Sequence, residues 1–160
     1  MDNILQFAHI EYSINTKSID IFNLGCDGCC KGCCNTELKS WDLRGVNSQQ
    51  VILKVKDLLN RFDSLIDKLI LVGGDPVDAY KHYPQEYLEF VQQIKLGKPI
   101  YLFTRHELED IPLELLCSVE YVKTGPYIEE LICEDNICNG IKLATSNQKI
   151  HKVTDVLNRN

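Results

Sequence analysis

The chain has 160 residues, of which 44% are hydrophobic and 25% are charged, and its formal net charge is −6. This length suits one domain with a substantial core, so we expect a single domain over residues 1–160. Because the chain is acidic and its lysines and arginines are scattered, nucleic-acid binding and docking to an anionic membrane are excluded as expected functions.

Nothing in the sequence predicts export or membrane insertion. The first ten residues have no basic start and no long apolar run, and no apolar stretch approaches the roughly 18 residues of a membrane span. We therefore expect a cytoplasmic protein. In that reducing compartment, clustered cysteines predict metal binding or catalysis rather than disulfides.

The first half of the chain alternates strand and helix patterns. The predicted elements are strands over residues 4–12 and 18–24, a helix over residues 48–62 and a strand over residues 68–72. Apolar residues recur at helical spacing in the helix, and Asn47 or Ser48 is its expected N-cap. The last strand is a short apolar run that ends at two glycines, which favours a buried strand.

The second half continues the alternation. The predicted elements are a helix from Pro84 to about residue 96, a strand over residues 100–103, a short helix near residues 112–118, and strands over residues 119–123 and 149–153. Such alternation predicts an α/β domain with a mainly parallel sheet. The loops after successive parallel strands would then lie on one rim.

Those rim loops contain the chemically suggestive residues. They are predicted over residues 26–35, 73–76, 104–105 and 124–127. Arg105 on this rim could bind a carboxylate or a ribose, or remain a solvated side chain. His82 and His106 lie among polar residues, and we expect both at the surface.

The first rim loop holds five of the chain's eight cysteines. Cys26, Cys30 and Cys33 have the spacing C-x3-C-x2-C, and three thiolates can hold a [4Fe–4S] cluster while one iron keeps an open position. Cys29 could replace Cys30 in another register, and Cys34 could also contribute. The same cysteines can be drawn as two C-x2-C pairs of a zinc knot, which stays open as an alternative.

This cysteine pattern resembles the radical S-adenosylmethionine (SAM) enzymes, and more closely the activating proteins of anaerobic ribonucleoside-triphosphate reductases. The resemblance covers roughly residues 18–153 and implies a partial (β/α) barrel. The supporting segments, in the expected order, are Gly32 with Asn35, Trp41 with Gly45, Leu71-Val-Gly-Gly-Asp-Pro76, Leu102-Phe-Thr104, Tyr121-Val-Lys-Thr-Gly-Pro-Tyr-Ile-Glu-Glu-Leu131 and Ser146-Asn147-Gln148.

The resemblance implies two cofactors and their binding residues. Cys26, Cys30 and Cys33 would hold the [4Fe–4S] cluster, and SAM would occupy the fourth iron through its amino and carboxylate groups. The residues implied for SAM binding are Asn35, Gly73, Gly74, Asp75 and Thr104. The reduced cluster would pass one electron to the sulfonium, and the resulting 5′-deoxyadenosyl radical would take a hydrogen atom from a glycine of the partner.

The resemblance also implies partners. The large partner would be the glycyl-radical subunit of an anaerobic ribonucleoside-triphosphate reductase, and a flavodoxin or ferredoxin would supply the electron. Two alternatives remain at this point. One is a radical SAM enzyme acting on a small molecule, of the type that makes deazapurine precursors, and the other is a non-catalytic metal-binding module.

Overall fold

A seven-stranded sheet organises residues 4–159, which are the residues that this computed structural model describes. The strands are β1 (Gln6–Ser13), β2 (Ser18–Asn23), β3 (Val46–Asn47), β4 (Lys68–Gly73), β5 (Ile100–Phe103), β6 (Tyr121–Thr124), β7 (Ile137–Cys138), β8 (Ile141–Lys142) and β9 (Lys149–Lys152). The helices are α1 (Ser48–Phe62), α2 (Pro76–His82), α3 (Pro84–Ile94), α4 (Leu113–Cys117) and α5 (Val153–Leu157). Residues 1–3 and Asn160 of the predicted domain lie outside the described residues.

The strand order in the sheet is β3-β1-β2-β4-β5-β6-β9, with β7 and β8 forming a separate hairpin. Strands β2, β4, β5 and β6 are parallel, while β1, β3 and β9 are antiparallel to their neighbours. The expected mainly parallel sheet is therefore a mixed sheet with a parallel centre. The sheet is open, since β3 and β9 lie at opposite edges and do not pair, so a barrel is not formed by the strands that the structure describes.

The main hydrophobic core lies between one face of the sheet and the helices. Alternate strand residues such as Ile19, Ile21, Leu69 and Leu71 point into it, because successive side chains of a strand face opposite sides. All five helices contribute buried side chains to the same cluster. Burial of these apolar faces is the main favourable term holding the helices on this side of the sheet.

The opposite face of the sheet carries a smaller core. Ile70 and Tyr101 pack there against Ile141 and Leu143, which belong to the C-terminal β7–β8 hairpin and the residue after it. The hairpin turns at Asn139-Gly140, and both residues have positive φ (52° and 75°). Two consecutive left-handed residues are what a tight type I′ turn requires. The C-terminal segment thus covers part of the face that the helices leave open.

Most predicted elements are confirmed, and several short ones were missed. The helix over residues 48–62 has the predicted bounds, and Asn47 caps it through a reciprocal bond pair with Gln50. The missed elements include the two-residue strand β3, the helix α2, the hairpin β7–β8 and the helix α5. The longest helix, α1, has 15 residues, and none of the described helices has the length and apolar character needed to cross a bilayer.

A buried hydrogen-bond chain joins helix α3 to the ends of two central strands. The Tyr87 hydroxyl donates to Asn23 Oδ1 at 2.7 Å, and Asn23 Nδ2 donates to the Val72 carbonyl at 2.8 Å. Tyr87 and Asn23 are fully buried. Because Asn23 ends β2 directly before the cysteine loop, this chain fixes the point from which that loop departs.

Replacing Tyr87 with phenylalanine is expected to lower the free energy of unfolding by about 1–3 kcal/mol, because Asn23 Oδ1 would lose a partner in a site that water does not reach. Urea unfolding of the wild type and the variant measures this. Tyr12→Phe is the control, since the Tyr12 hydroxyl donates to the Leu65 carbonyl at 2.7 Å on an exposed surface. Equal losses in both variants would contradict a special role of the buried chain.

Candidate metal centre

The carboxyl ends of β2, β4, β5 and β6 meet at one edge of the sheet around a cavity of about 250 Å³. Parallel strands place the loops that follow them on the same rim. The cavity is lined from the four predicted rim loops and from residues 142–144 and Gln148 of the C-terminal segment. The sequence prediction that these loops converge is therefore confirmed.

Four cysteines of the first loop line this cavity, namely Cys26, Cys30, Cys33 and Cys34. Cys29 instead lines a neighbouring depression of about 380 Å³, which Cys30 also borders. All eight cysteines are free thiols. The structure thus brings the three predicted ligands to one cavity and places Cys34 beside them, whereas Cys29 does not line this cavity.

Backbone hydrogen bonds anchor the start of the cysteine loop. The Gly25 amide donates to the Leu38 carbonyl at 2.7 Å, and the Cys26 amide donates to the Lys39 carbonyl at 3.1 Å. The Gly28 amide donates to Cys26 Sγ at 3.3 Å, which is an interaction that a thiolate accepts well. The backbone and the sulfur of Cys26 are therefore fixed by hydrogen bonds within the protein.

Gly73 and Gly74 form the part of the cavity wall that touches the cysteine loop. Gly73 has φ of +103°, and a Cβ there would lie 2.7 Å from the Asn23 amide nitrogen. A Cβ on Gly74 would collide with the Gly25 carbonyl. Asn35 Nδ2 donates to the Gly73 carbonyl at 3.2 Å. Glycine is required here because the backbones of two strand ends approach closely.

Asp75 and Thr104 also border the cavity, but their polar atoms are engaged with the protein. The Asp75 side chain is the N-cap of α2, where Oδ1 accepts from the Val77 and Asp78 amides. It also accepts from the Thr104 hydroxyl at 2.8 Å and from the Arg105 amide at 2.9 Å. Asp75 is 1% exposed, and burial raises its pKa while these hydrogen bonds oppose the rise. The structure thus gives Asp75 the geometry of a clamp between β4, α2 and β5.

A second ionic group behind Asp75 was not predicted. Arg105 Nη2 donates to Asp78 Oδ2 at 2.9 Å, and His106 Nε2 lies 2.8 Å from Asp78 Oδ1. Burial alone would raise the pKa of Asp78, yet the bonds from His106, from the Asp27 amide and from Arg105 hold it below its usual value. The expectation of a surface His106 was wrong, since its side chain is 11% exposed in this pair.

Arg105 is therefore not a solvated rim side chain. Its side chain is 27% exposed, and its Nε is buried without a hydrogen-bond partner among the described residues. Gly28 packs directly on this guanidinium, and a Cβ on Gly28 would lie 2.5 Å from Arg105 Cδ. Burial raises the pKa of the Cys26 thiol, and the bond from the Gly28 amide and the nearby Arg105 side chain oppose that rise.

The outer side of the cysteine loop is held by an aromatic pair. Trp41 stacks on His82 with ring centroids 3.8 Å apart, and both rings lie within hydrogen-bond distance of Asp27. His82 is partly exposed, as expected. The Trp41 ring also packs directly against Gly25. This side chain therefore holds the cysteine loop in place and does not line the cavity.

The donor set fits an iron–sulfur cluster. Three free thiols at the predicted spacing face one cavity, and a buried guanidinium Nε–H without an oxygen acceptor lies behind the first of them. Thiolates are the ligands of such clusters, and donors near the sulfurs are a usual second layer around them. Cys26, Cys30 and Cys33 would hold the cluster, with Cys34 as a further thiol at the same cavity.

Comparison with known proteins agrees with this chemistry. A family model described as "4Fe-4S single cluster domain" matches residues 17–151, which cover strands β2 to β8, most of β9 and the cysteine loop, but not β1. No curated protein matches the sequence.

Proposed function

Because this chain belongs to the 4Fe-4S single cluster domain family, we propose that it is a radical SAM activating enzyme for the glycyl-radical subunit of an anaerobic ribonucleoside-triphosphate reductase. The family is found in radical SAM-type proteins. The observation that carries the proposal is the shared cavity, where Cys26, Cys30 and Cys33 face the Gly73-Gly74 turn and Thr104.

In this proposal the cluster and SAM supply reductive cleavage of the sulfonium bond, and the protein binds and orients them. Cys26, Cys30 and Cys33 would hold the cluster with one iron left for SAM to bind. The backbone carbonyls of Gly73, which also accepts from Asn35, and Gly74 would be the acceptors for the SAM amine, since the Asp75 carboxylate is already engaged by protein donors. Asn35 and Thr104 complete the wall that would contact the nucleotide.

The two segments that favour a ribonucleotide reductase activase lie together in the structure. Asn147 Nδ2 donates to the Pro126 carbonyl at 2.9 Å, and the Ser146 amide donates to the Leu131 carbonyl at 2.9 Å. The segment Tyr121–Leu131 and the segment Ser146–Gln148 therefore form one unit beside the cavity. We propose that this unit faces the glycyl-radical partner, and that a flavodoxin or ferredoxin supplies the electron.

Anaerobic reconstitution with iron and sulfide, followed by a SAM-cleavage assay, tests the proposal. We expect roughly four irons per chain, SAM cleavage by a reductant, and a glycyl-radical signal by electron paramagnetic resonance (EPR) only when the large subunit is present. Cleavage with a small metabolite but no radical on the subunit would favour a small-molecule enzyme. Zinc without iron would favour a non-catalytic metal-binding module.

A further inference from the structure

Lys123 is a cation inside the candidate metal centre that the proposed function does not use. It lies on β6 between Phe103 of β5 and Ile150 of β9. On this face of the sheet its neighbours are mainly apolar, because Tyr101, Phe103, Tyr121 and Ile150 form the smaller core. The chain thus places an ammonium group where it is partly removed from water, at the wall of the cavity lined by four cysteines.

The ammonium group of Lys123 has few partners. Its Nζ donates to the Gly125 carbonyl at 3.3 Å and lies 5.9 Å from the centroid of the Phe103 ring. No carboxylate of the described residues comes within ion-pairing distance of it. A charge that is partly buried without a counter-ion is costly, which indicates that an anionic group belongs nearby.

The other cations of this cavity already have counter-ions. Arg105 pairs with Asp78 at 2.9 Å. Lys142 pairs with Glu134, and the Lys142 side chain is 54% exposed. Lys123 is therefore the cavity cation that no described carboxylate neutralises. Burial lowers the pKa of Lys123 to about 8, and the fields of Asp75, Cys30 and Cys34 oppose this. Cys30 and Cys34 are therefore near enough to Lys123 for a negative charge on either sulfur to act on the ammonium.

We infer that the Lys123 ammonium is the counter-charge of the proposed [4Fe–4S] cluster and makes that cluster easier to reduce. A [4Fe–4S] cluster with three thiolate ligands carries net negative charge, and reduction adds one more electron. A cation in a poorly solvated site stabilises the more negative state preferentially, since its field is weakly screened there. Net charge and solvent exposure are known determinants of cluster potential.

The inference rests on the proposed cluster, and its test separates the two. Wild type, Lys123→Met, Lys123→Arg and Lys142→Met are reconstituted anaerobically and titrated with dithionite, without SAM. The midpoint potential is followed by visible absorption and EPR. Each titration transfers one electron from dithionite to the cluster, and the lysine keeps its proton.

Lys123→Met is expected to disfavour reduction about tenfold, which is a shift of about 59 mV to more negative potential for a one-electron couple. Lys123→Arg should stay near wild type because it keeps the charge. Lys142→Met should shift much less, since Lys142 is half exposed and already paired. A Lys123→Met potential equal to that of the wild type would overturn the inference.

Cluster content decides the remaining outcomes. If wild type holds no cluster, the proposed function fails and the role of Lys123 fails with it; if wild type holds a cluster whose potential does not depend on Lys123, only the inference fails. If Lys123→Met holds none while Lys123→Arg holds a full complement, the positive charge is required even for assembly, which supports the inference. If both variants lack the cluster although circular dichroism shows them folded, the lysine acts through its shape or packing, and the inference is wrong.

Discussion

Cys30→Ala is expected to abolish the [4Fe–4S] cluster, whereas Cys29→Ala is expected to leave it intact. The two residues are adjacent in sequence, but only Cys30 lines the cavity together with Cys26 and Cys33. A three-thiolate site that loses one ligand keeps two, which is too few to hold a cluster of this type. Iron and sulfide content per chain after anaerobic reconstitution measures the difference, with near-complete loss expected for Cys30→Ala.

Variants of Cys34 and Cys117 serve as controls for this comparison. Cys34 lies at the same cavity, so Cys30→Ala is also made together with Cys34→Ala to exclude substitution by the neighbouring thiol. Cys117 is exposed and lies on α4, so Cys117→Ala controls for the loss of any thiol. Full iron in Cys30→Ala with Cys34→Ala, or loss of iron in Cys29→Ala, would refute the ligand assignment.

The position of the candidate site was predictable because it follows from a general rule. Parallel strands send their loops to one rim, so a strand pattern at residues 68–72 and another at residues 100–103 suffice to bring Gly73 and Thr104 toward the cysteine loop. The apolar runs that mark these strands are strong local signals. No such rule separates Cys29 from Cys30, because the side of an irregular loop on which a side chain lies depends on tertiary contacts.

The missed elements are short, so their sequence patterns are too short to predict a strand or a helix on their own. Asn139-Gly140 is a strong hairpin signal, but each strand beside it has only two residues and no alternating pattern. The start of helix α2 has a typical sequence pattern, with Asp75 as N-cap, Pro76 at the first helical position and Asp78 in the first turn. Residues 73–76 are predicted from the sequence only as a rim loop, so the pair of Asp78 with Arg105 and His106 is also missed.

Asp75→Ala is expected to lower the free energy of unfolding of the cluster-free protein by about 3 kcal/mol or more. The substitution removes the N-cap of α2, which is worth about 0.5–2 kcal/mol, and leaves buried donors of Thr104 and Arg105 without acceptors at about 1–3 kcal/mol each. These effects share one carboxylate and do not add fully. Unfolding in guanidinium chloride, monitored by circular dichroism, measures the loss of unfolding free energy.

Two milder variants keep the prediction measurable if Asp75→Ala does not fold. Asp75→Asn retains an oxygen for the α2 cap but replaces the other acceptor with a donor, so an intermediate loss is expected. Thr104→Val removes one donor and leaves the cap intact, so a loss of about 1 kcal/mol is expected. Because the same carboxylate ties β4, α2 and β5 behind the Gly73-Gly74 turn, both variants should also weaken the SAM binding that we propose for the reconstituted protein. A normal unfolding curve for Asp75→Ala would show that the clamp does not hold the candidate site together.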